Sequence, residues 1–156
     1  MAAAPPTLEL AFEVRADLAP RRHYGPTAAG LQRGFVAVTG GVVSGPRFSG
    51  RIVPHSGGDY PTILPTGTAV FDARYLIEAE DGTLIQLNSR GYRHASAEVN
   101  ARLLRGEEVP PSAYYMYATP WFDVPAGPHE WLGRSVFLVD GHRHANHSIF
   151  RYWLAV

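Results

Sequence analysis

Four side chains in the middle of this 156-residue chain have the types that acid–base catalysis needs. Asp59 closes a Gly57-Gly58-Asp59 segment, Asp72 and Tyr75 sit in Asp72-Ala-Arg-Tyr75, and Arg90 ends Asn88-Ser-Arg90. A carboxylate can abstract a proton, a neutral phenol can return one, and a guanidinium can stabilise the enolate or carboxylate that forms between the two steps. Asp59 and Asp72 both qualify as the base, Tyr75 or Tyr115 as the donor, and Arg90 or Arg74 as the stabiliser. If Asp72 pairs with Arg74 its pKa is depressed, and Asp59 becomes the better base. Asn88 adds an amide able to orient a ligand.

Composition removes several other chemistries. The 14 basic residues are all arginine, so a lysine Schiff base is excluded, and the absence of cysteine removes thiolate nucleophiles and zinc–thiolate sites. No Gly-x-Ser-x-Gly elbow and no Gly-Lys-Ser/Thr phosphate loop occurs. A formal net charge of zero without a basic stripe argues against nucleic acid as a partner. His142, His144 and His147 could chelate, since alternate strand residues share a face. No Glu follows them, however, and Asp140-Gly141 with Asn146 reads equally well as a polar hairpin loop. No metal and no cofactor is therefore expected. The N-terminus lacks the basic and apolar regions of a signal peptide, and no apolar run reaches membrane-spanning length. A cytoplasmic protein without membrane contact is expected.

The elements that must hold these residues are strands. Apolar and polar residues alternate along Thr7–Ala16 and Phe35–Val43, and Phe48–Val53, Thr68–Glu80, Thr83–His94, Tyr114–Asp123, Arg134–Val139 and Ser148–Val156 add further strand segments. Ser96–Gly106 is the single good helix, with Ser96 as its cap and Gly106 as its stop. Residues 1–6 read as a disordered tail and 7–156 as one domain, a mostly β antiparallel barrel with one short helix. Asp81-Gly82 is a strong hairpin signal. Read as a two-residue loop, it pairs Ile77 with Gln86, Tyr75 with Asn88 and Ala73 with Arg90, leaving neither face uniformly apolar. The connection Pro54–Gly67 is long enough to suggest a role beyond linkage. Tyr114, Tyr115, Tyr117, Trp121 and Phe122 crowd one strand, with Trp131 close behind; they can form core, outer surface or dimer contact, or an aromatic ligand wall.

Taken in order, Thr39-Gly-Gly41, Gly45-Pro-Arg47, Gly50-Arg-Ile-Val-Pro54, Gly57-Gly-Asp59, Asp72-Ala-Arg-Tyr75, Asp81-Gly82, Asn88-x-Arg-Gly91 and Trp131-Leu132 resemble the domain of unknown function 3237 family over nearly the whole chain. The resemblance implies a calycin-like antiparallel barrel with a small-molecule pocket, often assembled as a homodimer. It points to Asp59, Asp72, Arg74, Tyr75, Asn88 and Arg90 as the positions matching the family's motifs. Tyr60 stands where Trp is expected, and Gly133 where Asn is expected. The resulting expectation is a cofactor-independent isomerase, cyclase or lyase acting on a small carbonyl or phenolic compound. Asp59, Asp72, Tyr75 and Arg90 would be catalytic, and Arg74, Asn88, Tyr115, Trp131 and Tyr60 would contact substrate. The alternative is a non-catalytic carrier of a hydrophobic ligand.

Overall fold

The computed structural model describes residues 4–156, so the expected tail at residues 1–6 falls partly outside the described residues. The described residues form eleven strands: β1 (Leu8–Leu18), β2 (Arg22–His23), β3 (Gln32–Ser44), β4 (Gly50–Ile52), β5 (Gly57–Asp59), β6 (Thr62–Ile63), β7 (Ala69–Ala79), β8 (Leu84–His94), β9 (Tyr115–Asp123), β10 (Phe137–Arg143) and β11 (His147–Ala155). The antiparallel order runs β1-β11-β10-β9-β8-β7-β4-β3, and β1 also pairs with β3, which closes the sheet into a barrel. The short strands β4, β5 and β6 share one position around the ring, each bridging β3 and β7. Among the described residues each long strand has a neighbour on both sides, the shortest ladder being that of β9 with β10, through Ala118–Val139 and Tyr117–Asp140. Helix α1 (Ala97–Leu104) connects β8 towards β9, and the Ser96 side chain accepts the Val99 N–H at 3.2 Å as its cap.

The β7–β8 hairpin departs from the expected register. Glu78 faces Leu84, the Ala79 N–H donates to the Thr83 carbonyl, and Gly82 adopts φ +85°. A turn ending in a left-handed glycine spends one residue more than a two-residue loop. The pairing therefore shifts by one, to Tyr75 with Leu87, Ala73 with Ser89 and Asp72 with Arg90. A one-residue shift moves every side chain of one strand to the opposite face relative to its partner. Ala73, Tyr75, Ile77 and Ala79 now share the inner face with Ile85, Leu87 and Ser89, and the expected mixed faces resolve into an apolar interior and a polar exterior.

The second departure lies at the β10–β11 hairpin. Asp140 and Gly141 are strand residues rather than a turn, and the chain reverses after Arg143, where the His144 N–H donates to the His147 carbonyl. Asp140 is held on the strand by Arg151 Nε at 2.9 Å and Trp153 Nε1 at 2.7 Å. Gly141 faces inward at a place where a Cβ would lie 3.0 Å from the Met116 side chain.

One half of the interior is a closed aromatic core. Phe12 stacks on Tyr152 with ring centroids 4.6 Å apart and meets Phe48, Phe122 and Phe137 at 5.4–6.2 Å. Trp131 and Leu132, on the 3-10 turn Glu130–Arg134, pack against this core. At the same end His129 Nε2 lies 2.9 Å from Asp81 Oδ2, tying the hairpin tip to the segment that covers the barrel.

Candidate functional site

The other half of the interior holds a cavity of about 70 Å³. Each long strand reaches it after leaving the aromatic core: Ala16 and Leu18 on β1, Val36 and Val38 on β3, Phe71, Ala73 and Tyr75 on β7, Ser89 and Arg93 on β8, Met116 and Ala118 on β9, Arg143 on β10, and Ser148 and Phe150 on β11. The walls are mostly apolar, with a few convergent polar groups, the usual make-up of a ligand site.

Asp59 is the one carboxylate among the residues lining the cavity. It is placed there by the Gly-Gly-Asp segment. Strand β5 is wedged between β3 and β7, with Asp59 opposite Val36 on one side and Ala73 on the other, both inward-facing residues. A Cβ on Gly57 would strike the Arg74 carbonyl, and one on Gly58 would strike the Val36 carbonyl and the Phe35 ring. Only residues without side chains let β5 approach both neighbours so closely. Asp59 Oδ1 accepts the Asp72 N–H at 2.9 Å, which fixes the carboxylate. Burial raises its pKa to about 6, against the opposing pull of that hydrogen bond and of the Arg21 charge. It is mostly ionised at neutral pH and able to cycle a proton.

Facing it are three cationic side chains, Arg21, Arg93 and Arg143. Arg93 and Arg143 occupy inward positions of β8 and β10, following Leu87, Ser89 and Gly91 on one strand and Val139 and Gly141 on the other. Tyr114 Oη accepts the Arg143 N–H at 2.9 Å and fixes that strand end. Arg21 reaches in beside Gly34, where a Cβ would lie 3.3 Å from its Cδ. Burial, reinforced by the charges of Arg143 and Arg21, lowers the Arg93 pKa to about 10. Burial lowers those of Arg21 and Arg143 as well. Tyr75 and Tyr152 both line the cavity, where burial pushes both phenols up and keeps them neutral.

Of the residues singled out from sequence, the structure brings Asp59 and Tyr75 to this cavity. The corrected register carries Asp72, Arg74 and Arg90 to the outer, exposed face of β7 and β8, away from the cavity. Asn88 is buried on that outer face, where its Nδ2 donates to Asp123 Oδ2 at 3.0 Å and its Oδ1 accepts from Gln86. Tyr115 lies outside on β9, stacked on His94 at 4.7 Å. Tyr60 is exposed against Phe35, and Trp131 packs against the core at the opposite end. Arg21, Arg93 and Arg143 were not anticipated. A usable signal existed for two of them: an arginine that continues the inward alternation of a strand cannot face solvent.

The histidine cluster is also outside the cavity. His142 and His144 alternate with the inward Gly141 and Arg143, and His144 stacks on His147 at 4.3 Å. A glutamate does approach, from upstream rather than downstream: Glu108 Oε2 lies 3.0 Å from His144 Nδ1, and Glu108, His142 and His144 offer donor atoms within 4.8 Å of one another. No helix among the described residues is long and apolar enough to cross a membrane.

A closed antiparallel barrel with a cavity built from one carboxylate, three guanidiniums and two phenols defines a class of small pocket-bearing β-barrel. Within that class, the chain belongs to the family described as protein of unknown function (DUF3237), whose model matches residues 6–155. A UPF0311 protein, RPA1785, of Rhodopseudomonas palustris is 30% identical over 146 residues, covering 92% of this chain and 94% of that one. The crystal structure of a β-barrel-like protein from Acinetobacter baumannii superposes with a TM-score of 0.85 at 33% identity, covering 99% of both chains. The hydroalkoxylation enzyme phnH of Penicillium herquei is 33% identical over 81 residues, 52% of each chain. The barrel thus has a distant homologue that is an enzyme.

Proposed function

We propose that this protein is an acid–base enzyme that isomerises or cyclises a small carbonyl or phenolic compound at the barrel's cavity. The observation that carries the reading is Asp59: a lone carboxylate, inserted by a dedicated glycine-flanked strand into an apolar cavity opposite cationic side chains. The partial likeness to a hydroalkoxylation enzyme supports the same class of chemistry.

In such a reaction Asp59 removes the proton of a hydroxyl group, and the oxygen adds to a carbon–carbon double bond conjugated to a carbonyl. One C–O bond forms as the π bond opens, and the electron pair rests on the carbonyl oxygen as an enolate, which the guanidiniums of Arg93 and Arg143 stabilise. Protonated Asp59 then returns its proton to the α-carbon. The product is an isomer of the substrate. The sequence is redox-neutral, and every proton it moves is held by this chain's own side chains.

The test is incubation with a panel of phenols that carry an ortho α,β-unsaturated acyl group in D₂O, followed by mass spectrometry and NMR. The expected result is a cyclic isomer carrying one deuterium at carbon, with Asp59→Asn slower by about 10²–10⁴-fold, the usual worth of a positioned general base. Absence of turnover across the panel, or turnover that survives in Asp59→Asn, overturns the reading.

A further inference from the structure

The cavity carries more positive charge than its own residues balance. Arg21, Arg93 and Arg143 face a single carboxylate, Asp59, in the same enclosed space. Outside the cavity several arginines are paired, among them Arg51 with Glu78, Arg102 with Glu107, and Arg151 with Asp140. None of the ion pairs among the described residues involves the three cavity arginines.

The guanidinium donors are also short of acceptors. Arg21 Nε and Arg93 Nε are shielded from solvent and have no hydrogen-bond partner. A buried polar group left unpaired costs about 1–3 kcal/mol, more when it is charged, and like charges gathered in low dielectric repel. A polar cluster this unsatisfied is a site waiting for acceptor atoms. Planar oxyanions supply them in the geometry that a guanidinium fork accepts.

Size narrows the ligand further. About 70 Å³ is roughly half the 150 Å³ of an apolar cavity that admits benzene. A charged head group fits this volume, whereas a whole ring exceeds it.

We propose that the cavity recognises its substrate through an organic monoanion, a carboxylate or an ionised phenol or enol, bound by Arg21, Arg93 and Arg143. The inference rests on the reading of this cavity as the reaction site, and it names the substrate class.

The probes are benzoate, 4-nitrophenolate, neutral benzamide and inorganic phosphate, titrated calorimetrically against the full chain. Benzoate or 4-nitrophenolate should bind at least tenfold more tightly than benzamide, and the stronger of the two assigns the head group as carboxylate or phenolate. Arg93→Met and Arg143→Met should each weaken that binding at least tenfold. Their thermal melts should match or exceed the parent's, because a like charge has been removed. Arg90→Met, on the outer face, should bind as the parent does.

Equal affinity for benzoate and benzamide, undiminished binding in both cavity variants, or tighter binding of phosphate than of either organic anion overturns the proposal. The two ideas fail separately. Asp59-dependent turnover of a neutral compound by a protein indifferent to both anions overturns the anion assignment alone. Arginine-dependent anion binding without Asp59-dependent turnover overturns the catalytic reading alone.

Discussion

The two halves of the barrel interior are made by the same strands and solve opposite problems. Around Phe12, Tyr152, Phe122 and Phe137 the inward positions are filled by rings, and the Trp131–Leu132 segment covers that end. Further along the same strands the inward positions become Ser89, Gly91 and Arg93, or Gly141 and Arg143, and the space between them stays open. The aromatic half buries apolar area and stabilises the fold. The cavity half places one carboxylate and three guanidiniums where they cost stability, an arrangement expected of a functional site. On the proposed reading stability and chemistry are divided between these halves, so substitutions in the two should separate cleanly.

The largest effect should come from the aromatic half. Phe12→Ala removes a fully buried ring with four aromatic neighbours and should cost about 3–5 kcal/mol in chemical denaturation. A loss below 1 kcal/mol would mean that this half does not anchor the barrel.

Asp59→Asn should act in the opposite direction. A carboxyl pKa of about 6 in the fold against 3.8 when unfolded means that the folded state holds its proton more tightly. The native protein then binds more protons between pH 4 and 6, so stability falls as pH rises through that window and the penalty is complete above it. The shift corresponds to about 3 kcal/mol. The variant, with no charge to desolvate, should be more stable than the parent at pH 8 by up to that amount, and the gap should close near pH 4. In the parent, kcat should rise with pH through about 6 as the base ionises. A flat profile from pH 5 to 8 would remove Asp59 as the base.

Gly58→Ala sharpens the boundary between the halves. Its Cβ would meet the Val36 carbonyl, so β5 must withdraw from β3. We expect a loss of about 1–3 kcal/mol, with turnover falling by more than the stability change explains because Asp59 moves with the strand. Normal turnover would show that the wedged position of β5 is not needed. The smallest effect should be Arg90→Ala, within about 0.5 kcal/mol of the parent and with unchanged turnover, because that side chain is exposed on the outer face.

Much of the fold was legible in the sequence because alternation reports directly on burial. The long strands, the Ser96-capped helix and a mostly β barrel follow from period-two patterning and turn residues, whereas β5, which carries Asp59, and β6 lie within the Pro54–Gly67 segment that reads as a connection. Asp59 and Tyr75 were visible because their motifs, Gly-Gly-Asp and Asp-Ala-Arg-Tyr, stand out. The rest of the cavity was obscured by one turn. Counting Asp81-Gly82 as a two-residue loop misaligned β8 against β7 and brought Arg90 and Asn88 inward in place of Ser89 and Arg93. Reading Asp140-Gly141 as a second turn likewise ended β10 too early to reach Arg143.

The sequence by itself determined the long strands, the helix and the acid–base vocabulary, because helix and strand periodicity and side-chain chemistry are local properties of the chain. Only the tertiary structure decided which charges meet. Inward or outward is settled by register, register by the residue count of each turn, and convergence by the closure that brings Arg21, Asp59, Arg93 and Arg143 to one cavity from positions up to 122 residues apart (143 − 21).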